Sequence, residues 1–394
     1  MSAEELGGRL KEEVVVEGLD ELLASFRATT LPPDTSPTGL DLLDDILTQS
    51  ASRISLGLPP LLELTSNEPG AGKTHLLYLI AGIACLPPRW NQVPLHGKGG
   101  AVAVIDADDR FNVDRLARIM KSYVLYRIAE SRASPPGAEG ASLPEHEATR
   151  SNPAPCLPDD NPNLHAQAET LIISSLHHIH LFRPQSHTSL LATLARLPAY
   201  FLDPTAHPSS ARALHALLLD GAGAFLWPAR ADAARAAAAA DPGPAPNPHT
   251  PPGAALLTHL RAAAHALRPS LLVCTTSAPL APFAHYGALV PGEAASASGS
   301  TAVVAPLPLV RVCLARAAVP RFPAGISVQE AEAQRRMRQE VVERGRFVGW
   351  VVGGGGGREM EERRGRGDGW GFEFVVDGEG VRVGNVEQGG GGEG

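Results

Sequence analysis

The sequence has no apolar run that approaches the roughly 18 to 20 residues that a membrane-spanning helix needs. This absence excludes an integral helical membrane protein. The first residues are acidic and carry neither the basic nor the apolar region of a secretory signal. We therefore expect a protein that stays inside the cell and does not act at a membrane.

Cysteine is scarce as well. The four cysteines lie far apart and form no CxxC pair, so neither a zinc motif nor a disulfide scaffold is predicted. The histidines His177, His178 and His180 cluster, but they open a predicted strand on which alternate residues face opposite ways. We do not expect a metal site there, because no second group of ligands accompanies them.

An excess of positive charge is also missing. The chain has 34 lysines and arginines against 42 aspartates and glutamates, which gives a formal net charge of −8. This balance disfavours a protein that holds nucleic acid over a broad basic face. Arginines cluster at residues 335–338, but glutamates are interleaved with them, so a solvated helix face is expected rather than a DNA contact.

Glycine and proline are abundant, with 40 and 35 residues, and they concentrate in a few stretches. This distribution predicts one well-formed domain with long unstructured segments. The predicted organisation is a leader at 1–36, a core at 37–326 with disordered inserts at 131–168 and 230–253, an exposed helix and strand at 327–352, and a glycine-rich tail at 353–394 with a short β-hairpin at 371–383.

Within the core, apolar runs typical of buried strands alternate with helical patterns. The run LLELTS at 61–66 precedes a predicted helix at 73–85, and the run AVAVID at 101–106 precedes an amphipathic stretch at 112–129. Similar alternation continues toward residue 319. The sequence therefore predicts an α/β fold with a mainly parallel, twisted sheet of five parallel strands flanked by helices.

The most informative segment is the glycine-rich turn between the first strand and the first helix of the core. Gly70 and Gly72 allow backbone N–H groups to point at phosphates, Lys73 can reach the β- and γ-phosphates, and the Thr74 hydroxyl can bind Mg²⁺. A first glycine of the usual GxxxxGK[ST] pattern is replaced by Asn67, which tolerates left-handed backbone angles. The predicted nucleotide-binding residues are Asn67, Glu68, Pro69, Gly70, Ala71, Gly72, Lys73, Thr74 and His75.

Two carboxylates follow apolar strands at the edge of the sheet where this turn is expected. Asp220 ends the run LHALLLD and is the candidate for the magnesium shell, whereas Asp108 is the candidate that polarises an attacking water. Each has a structural alternative. Asp220 can be an ordinary strand-end or capping residue, and Asp108 and Asp109 can cap the next helix.

Four segments in the same order resemble the RecA-type recombinase family, which has a RecA-like P-loop NTPase core. The nearest likeness is to a eukaryotic recombinase paralogue of the X-ray repair cross-complementing type, whose pattern also has aspartate where the recombinases have glutamate. The segments are PTGLDLLDDIL (37–47), NEPGAGKTHLLYLIA (67–81), VIDADDRFNVDRLARIM (104–120) and LLLDGAGAFLW (217–227).

The resemblance implies binding of ATP and Mg²⁺ at a subunit boundary. It also implies that the chain joins other recombinase paralogue subunits in a heteromeric complex and contacts single-stranded or branched DNA through that complex. The complex is expected to promote homologous recombination and double-strand break repair in the nucleus. Lys73 and Thr74 match the family's phosphate and magnesium positions, Asp108 the catalytic carboxylate, and Asp220 the second, metal-shell aspartate.

Departures from the family pattern bear on DNA binding. The polar pair that ends the fifth strand in recombinases becomes Thr276–Ser277 or Ser277–Ala278. Residues 269–310 contain no lysine or arginine, and the loop after Asp220 offers Arg230 and Arg235. Because phosphate binding requires cations, we expect that this chain does not form a recombinase filament alone.

Four functions compete at this level. The leading one is a nucleotide-binding subunit with weak or no turnover. The others are a DNA-stimulated ATPase, a P-loop kinase of a small metabolite, and a scaffold whose nucleotide loop is vestigial. An arginine-rich lid, which a kinase would need, is absent after the central strands.

Overall fold

A computed structural model of the chain describes residues 36–51, 59–133, 162–239, 252–277, 309–317, 325–343, 345–352 and 371–385. The predicted leader lies outside these ranges except for Ser36, and so do residues 134–161 and 240–251 of the predicted inserts. No helix in the described part is both long enough and apolar enough to cross a membrane.

The described elements alternate as the sequence predicts. The helices are α1 Asp41–Ala51, α2 Lys73–Cys85, α3 Val113–Ala133, α4 Pro162–Leu176, α5 His187–Leu202, α6 Leu226–Ala239, α7 Pro252–Leu267 and α8 Val328–Glu343. The strands are β1 Leu61–Ser66, β2 Arg89–Trp90, β3 Val93–Pro94, β4 Ala101–Asp106, β5 Ile179–Phe182, β6 Leu214–Asp220, β7 Leu271–Ser277, β8 Leu309–Arg316, β9 Arg346–Val351, β10 Gly371–Val376 and β11 Val381–Asn385.

Nine of these strands form one sheet in the order β11-β10-β9-β8-β1-β7-β6-β4-β5. The six strands from β8 to β5 pair in parallel, one more than predicted, because β8 adds parallel to the free side of β1. Strands β9, β10 and β11 then extend the sheet with antiparallel pairs. The α/β class with a large, mostly parallel sheet flanked by helices is confirmed.

Helices cover both faces of the sheet and enclose two hydrophobic cores. One core contains apolar residues of α1, α2, α3 and α4, and the other contains those of α5 and α7. Helix α2 is buried at every position from Leu76 to Cys85, so its sequence is apolar all round rather than amphipathic. This burial fixes the helix whose first residues follow the glycine-rich turn.

The C-terminal hairpin belongs to the main sheet. The pairing of β10 with β11 around the Asp377–Gly378 turn confirms the predicted hairpin, and its side chains Phe372 and Phe374 are fully buried in the first core. Arg115 on α3 ties the turn in place, because its guanidinium donates to the carbonyls of Asp377 and Gly378 at 2.6 and 2.7 Å. The residues 371–383 are therefore structural rather than an appended tail.

The predicted disordered inserts are too long at the ends that the structure describes. Helix α3 continues to Ala133 and α4 begins at Pro162, so 131–133 and 162–168 are helical. Helix α6 runs to Ala239 and α7 begins at Pro252, so 230–239 and 252–253 are helical too. Alanine is the strongest helix former, and that propensity outweighs the low complexity of the second segment. In the first, Ala168 is buried against the core.

Replacing Phe372 by alanine tests whether the hairpin is part of the core. The side chain is 0% exposed, so the Phe372→Ala variant should lose about 3–5 kcal/mol of unfolding free energy because a cavity replaces the ring. Denaturant unfolding of the full chain measures the loss. The surface variant Glu379→Gln is the control and should change it by less than about 0.5 kcal/mol. Equal stability of the two variants would show that the hairpin contributes nothing to the core.

Candidate functional site

The turn between β1 and α2 has the backbone that glycine permits. Gly70 and Gly72 have φ values of +73° and +84°, and Gly72 is the N-cap of α2. No side chain caps the helix, so its N-terminus is an available site for an anion. Asn67 does not adopt the left-handed conformation expected from its replacement of glycine.

Lysine and threonine side chains from the first turn of α2 face the end of the sheet. The Lys73 ammonium donates a hydrogen bond to Ser66 Oγ, the last residue of β1, and Ser66 Oγ donates to the carbonyl of Glu68 at 2.8 Å. Thr74 Oγ1 donates to Asp220 Oδ2 at 3.0 Å. The hydroxyl and carboxylate predicted to share a metal are therefore direct neighbours.

Asp220 lies at the buried end of β6, with 3% of its surface exposed. Besides the Thr74 hydroxyl, its carboxylate accepts a hydrogen bond from Thr275 Oγ1, and the same hydroxyl accepts the N–H of Gly221 at 2.8 Å. Two hydroxyl donors from different elements thus hold the carboxylate at the end of the sheet.

Asp108 is exposed and lies against Gly221 on the neighbouring strand end. A Cβ atom at Gly221 would come within 2.6 Å of the Asp108 carboxyl, so the glycine permits this approach. The helix-capping alternative for Asp108 and Asp109 is wrong, because the Asn112 side chain accepts the N–H of Arg115 at 2.8 Å and caps α3. Asp109 instead forms an ion pair with Arg183 at 3.2 Å.

The aspartate at the end of β4 has a separate, structural role. The carboxylate of Asp106 is buried and accepts the backbone N–H groups of Arg110 and Phe111 at 3.1 and 3.0 Å. These bonds shape the turn that leads into α3. Asp106 therefore orders the segment that carries Asp108.

A cavity of about 680 Å³ opens over these residues, a volume within the usual range of ligand pockets. Asn67 and Glu68, which were predicted to bind the nucleotide, are exposed and do not line it. The predicted residues that do line it are Pro69, Gly70, Ala71, Gly72, Lys73, Thr74, His75, Asp108 and Asp220.

The opposite wall comes from segments that sequence reasoning did not connect with the site. Phe347 of β9 and Val376 of β10 line the cavity, and so does Arg316 at the end of β8. The Arg316 guanidinium lies 5.8 Å from the centre of the Phe347 ring and donates to the Val342 carbonyl at 3.4 Å. Arg110 adds another cation. No local motif marks Arg316, Phe347 or Val376, since more than two hundred positions separate each of them from the turn.

Trp227 stands at the rim of the same cavity. Its side chain is 59% exposed, and the Arg230 guanidinium lies 5.3 Å from the ring centre. This exposure excludes Trp227 from the hydrophobic core. Arg230 and Arg235, expected in a loop, lie on α6, and Arg235 pairs with Asp232 at 2.6 Å.

A buried ion pair supports the sheet next to the cavity. Glu63 on β1 is fully buried and accepts a hydrogen bond from Arg311 Nε on β8 at 2.7 Å. Its second oxygen accepts the Thr276 hydroxyl of β7, also at 2.7 Å. A buried carboxylate left without these partners would cost several kcal/mol. The three strands at the centre of the sheet are therefore held in one register at the edge where Thr276 and Ser277 line the cavity.

The charges of the cavity are only partly compensated. Burial lowers the pKa of Lys73, and the nearby Asp220 and Asp108 carboxylates oppose that shift. Burial also raises the pKa of Asp220; Asp108 and Asp106 add to this effect, whereas hydrogen bonds from Thr275 and Thr74 reduce it. A ligand that carries both anionic oxygens and a cation would compensate both groups.

These residues fit a magnesium–nucleotide ligand by their chemistry. Hydroxyl and carboxylate oxygens are the ligands that Mg²⁺ prefers, and Thr74 and Asp220 place one of each side by side. Lys73 and the uncapped helix N-terminus suit phosphate oxygens. A Cβ atom at Gly70 would meet nothing within 4 Å, so the turn leaves space above its backbone.

The histidine cluster forms a hydrogen-bonded group away from this cavity. His178 Nδ1 and His180 Nε2 each lie 2.9 Å from Ser209 Oγ, and His180 Nδ1 lies 3.0 Å from the Tyr200 hydroxyl. His207 packs against His180 with ring centres 4.8 Å apart. Among the described residues, no three or more histidine, cysteine, aspartate or glutamate side chains form a group that could hold a metal ion.

No protein-family model matches this chain, and no curated protein matches it at a significant level.

The two glycines of the turn should respond differently to alanine. Both changes place alanine in the left-handed region, which costs about 1–2 kcal/mol. At Gly72 the new Cβ atom would also lie 2.7 Å from the Phe374 ring, and such overpacking adds about 1–3 kcal/mol. Denaturant unfolding should therefore show a larger loss of stability for Gly72→Ala than for Gly70→Ala. The Phe374 contact would be contradicted if the two losses were the same.

Acid should destabilise the protein through His180. Burial and the adjacent His207 and His178 lower its pKa from 6.5 to about 4. Between these values the unfolded chain binds a proton that the folded chain does not, so the unfolding free energy falls as the pH drops from 6.5 to 4. In His180→Gln this pH dependence should be shallower, as measured by chemical denaturation at several pH values. The exposed variant His177→Gln is the control and should keep the wild-type slope.

Proposed function

We propose that the chain binds ATP with Mg²⁺ in the cavity over the β1–α2 turn and acts as a RecA-like recombinase paralogue. One observation carries the nucleotide part: Lys73, the Thr74–Asp220 pair and an uncapped helix N-terminus meet at one cavity. Side chains from distant parts of the sequence converge there on a charge pattern that matches a metal–phosphate ligand.

In this proposal each residue has a separate task. The Lys73 ammonium and the N–H groups at the start of α2 bind phosphate oxygens, and the Gly70–Gly72 backbone leaves room for them. Thr74 and Asp220 hold the metal. Mg²⁺ held there would supply positive charge that stabilises the negative charge of the phosphate groups. Thr275 fixes the Asp220 carboxylate, and Arg316 provides a further cation on the opposite wall.

The recombinase-paralogue part rests on the resemblance of four segments, and the mostly parallel sheet is compatible with a RecA-like core. We infer that the chain is one subunit of a heteromeric complex with other paralogues, and that the complex promotes homologous recombination and double-strand break repair in the nucleus. Single-stranded or branched DNA is contacted mainly through the complex, because residues 269–310 contain no lysine or arginine.

A second candidate is a DNA-stimulated ATPase. It is favoured by Asp108, whose carboxylate lines the cavity next to Gly221 and is not used as a helix cap. An aspartate there could orient an attacking water, although its side chain is one methylene shorter than glutamate. Release of phosphate from ATP with and without single-stranded DNA distinguishes this candidate. Turnover that DNA stimulates and that Asp108→Asn abolishes would favour the ATPase over the binding subunit.

The nucleotide proposal is tested by equilibrium binding of a fluorescent ATP analogue with Mg²⁺ to the full chain. The Lys73→Ala variant should bind at least about tenfold more weakly, because a charge-assisted hydrogen bond to phosphate is lost. Lys121→Ala is the matched control, since Lys121 pairs with Glu169 on the surface and should not affect binding.

The metal site gives a second measurement on the same protein. The Asp220→Asn change should reduce the gain in affinity for the analogue that added Mg²⁺ produces. It should affect the affinity measured without the metal less.

If wild type and Lys73→Ala bind the analogue equally, the turn is vestigial and the scaffold hypothesis replaces this proposal.

A further inference from the structure

A second cavity, of about 450 Å³, lies between α1, α3 and the C-terminal strand β11. The half-buried rings of Tyr123 and Tyr126 on α3 line it, and the N-terminal residues of α1 form its rim. Residues 381–384 line the remaining side, which is almost the full length of β11. The cavity is therefore a groove that runs beside a β-strand, on different elements from the proposed nucleotide site.

Strand β11 ends the sheet, and in the described part of the chain no strand pairs with its second edge. The Val376 N–H donates to Gly345, so the backbone of Val376 faces β9. The backbone N–H and C=O groups of successive residues in an antiparallel strand point to opposite neighbouring strands. Those of Val375 and Glu373 therefore point to β11, where these residues pair with Arg382 and Gly384. The N–H and C=O groups of Val381 and Val383 therefore point to the open edge.

There is space along this edge. Arg382 and Gly384 are exposed, and a Cβ atom at Gly384 would meet nothing within 4 Å. An exposed strand edge of this kind is a template for pairing with another strand. The rings of Tyr123 and Tyr126 line the groove beside this edge, where alternate side chains of an added strand would lie.

The charge of the groove is negative after its internal ion pairs are taken into account. Glu130 pairs with Arg127 at 2.6 Å, and Arg382 pairs with Asp377 at 2.6 Å. Asp41 and Asp45 are exposed one helical turn apart on α1, and no cation in the described ranges forms an ion pair with either. The two carboxylates remain available for a basic ligand.

We propose that this groove binds an extended, basic segment of a partner protein, which adds a tenth strand to the sheet along β11. Lysine or arginine side chains of the segment pair with Asp41 and Asp45, and its apolar side chains contact Tyr123 and Tyr126. A second copy of the chain is a poorer occupant, because each copy carries a net charge of −8. The surface does not depend on nucleotide binding, so its failure would leave the proposed function unaffected.

The test uses the full chain and a fluorescein-labelled octapeptide of alternating lysine and valine, with binding followed by fluorescence anisotropy. The expected result is saturable binding that weakens as salt is added. The same peptide with every backbone amide N-methylated keeps its side chains and charge but cannot donate to the strand. It should bind at least about tenfold more weakly.

Variants of the protein test the open edge of β11 and the aspartates of α1 separately. Val383→Pro removes an N–H that points to the open edge and leaves the β10–β11 pairing intact, so it should weaken binding of the peptide. The double variant Asp41→Asn, Asp45→Asn should weaken it by about five- to tenfold, since two exposed ion pairs are lost. Glu379→Gln, an exposed acid outside the groove, is the control and should bind as wild type does.

Three outcomes would overturn the proposal. The first is no saturable binding of the lysine–valine peptide. The second is binding that neither N-methylation nor the aspartate variants change, which would indicate non-specific attraction. The third is a dimer in analytical ultracentrifugation that Val383→Pro abolishes, which would make a second copy the occupant. If Val383→Pro fails to fold, the N-methylated peptide and the aspartate variants decide the question.

Discussion

Close packing of Phe374 against Gly72 is the contact on which the arrangement of the cavity depends. Gly72 has no Cβ atom and a left-handed backbone, so the ring can approach the start of α2. Phe374 stacks on Phe347 with ring centres 5.1 Å apart, and Phe347 lies beneath the Arg316 guanidinium. Through this series of contacts the C-terminal strands support the turn and supply the opposite wall. A side chain at position 72 would separate the two halves of the site.

Buried polar groups impose a second constraint at the same edge of the sheet. Asp220 is held by hydroxyls from α2 and β7, and Glu63 is held by Arg311 of β8 and Thr276 of β7. Each carboxylate is nearly or fully buried, so the loss of a partner would leave charge uncompensated in a region of low dielectric. Each oxygen of the Glu63 carboxylate has a hydrogen-bond partner within the protein. The pKa values of Asp220 and Lys73 are shifted by burial, and a bound ligand would reduce these shifts. This difference separates a structural pair from a candidate binding pair.

Local sequence reasoning succeeded where one short-range pattern dominates. The helix predicted over Lys73–Cys85 has those bounds, and the Asp377–Gly378 turn forms the hairpin. It failed where composition conflicted with propensity or packing. The alanine-rich residues 230–239 are helical, and Ala168 packs on the core although the predicted insert that contains it is polar. Asp108 and Asp109 matched a capping pattern, but the φ of +54° at Asp109 changes the turn and leaves the cap to Asn112.

The sequence by itself determined the alternation of strands and helices, the glycines of the turn, and the positions of Lys73, Thr74, Asp108 and Asp220. These features follow from residue type and spacing over a few positions, which set backbone conformation and side-chain chemistry locally. Only the tertiary structure decided that Thr74 contacts Asp220 and that Arg316 and Phe347 form a wall of the cavity. It also decided that, among the described strands, none pairs with the edge of β11 that lies beside acidic residues of α1. Those arrangements depend on strand order and on packing between distant segments, which no short pattern in the chain specifies.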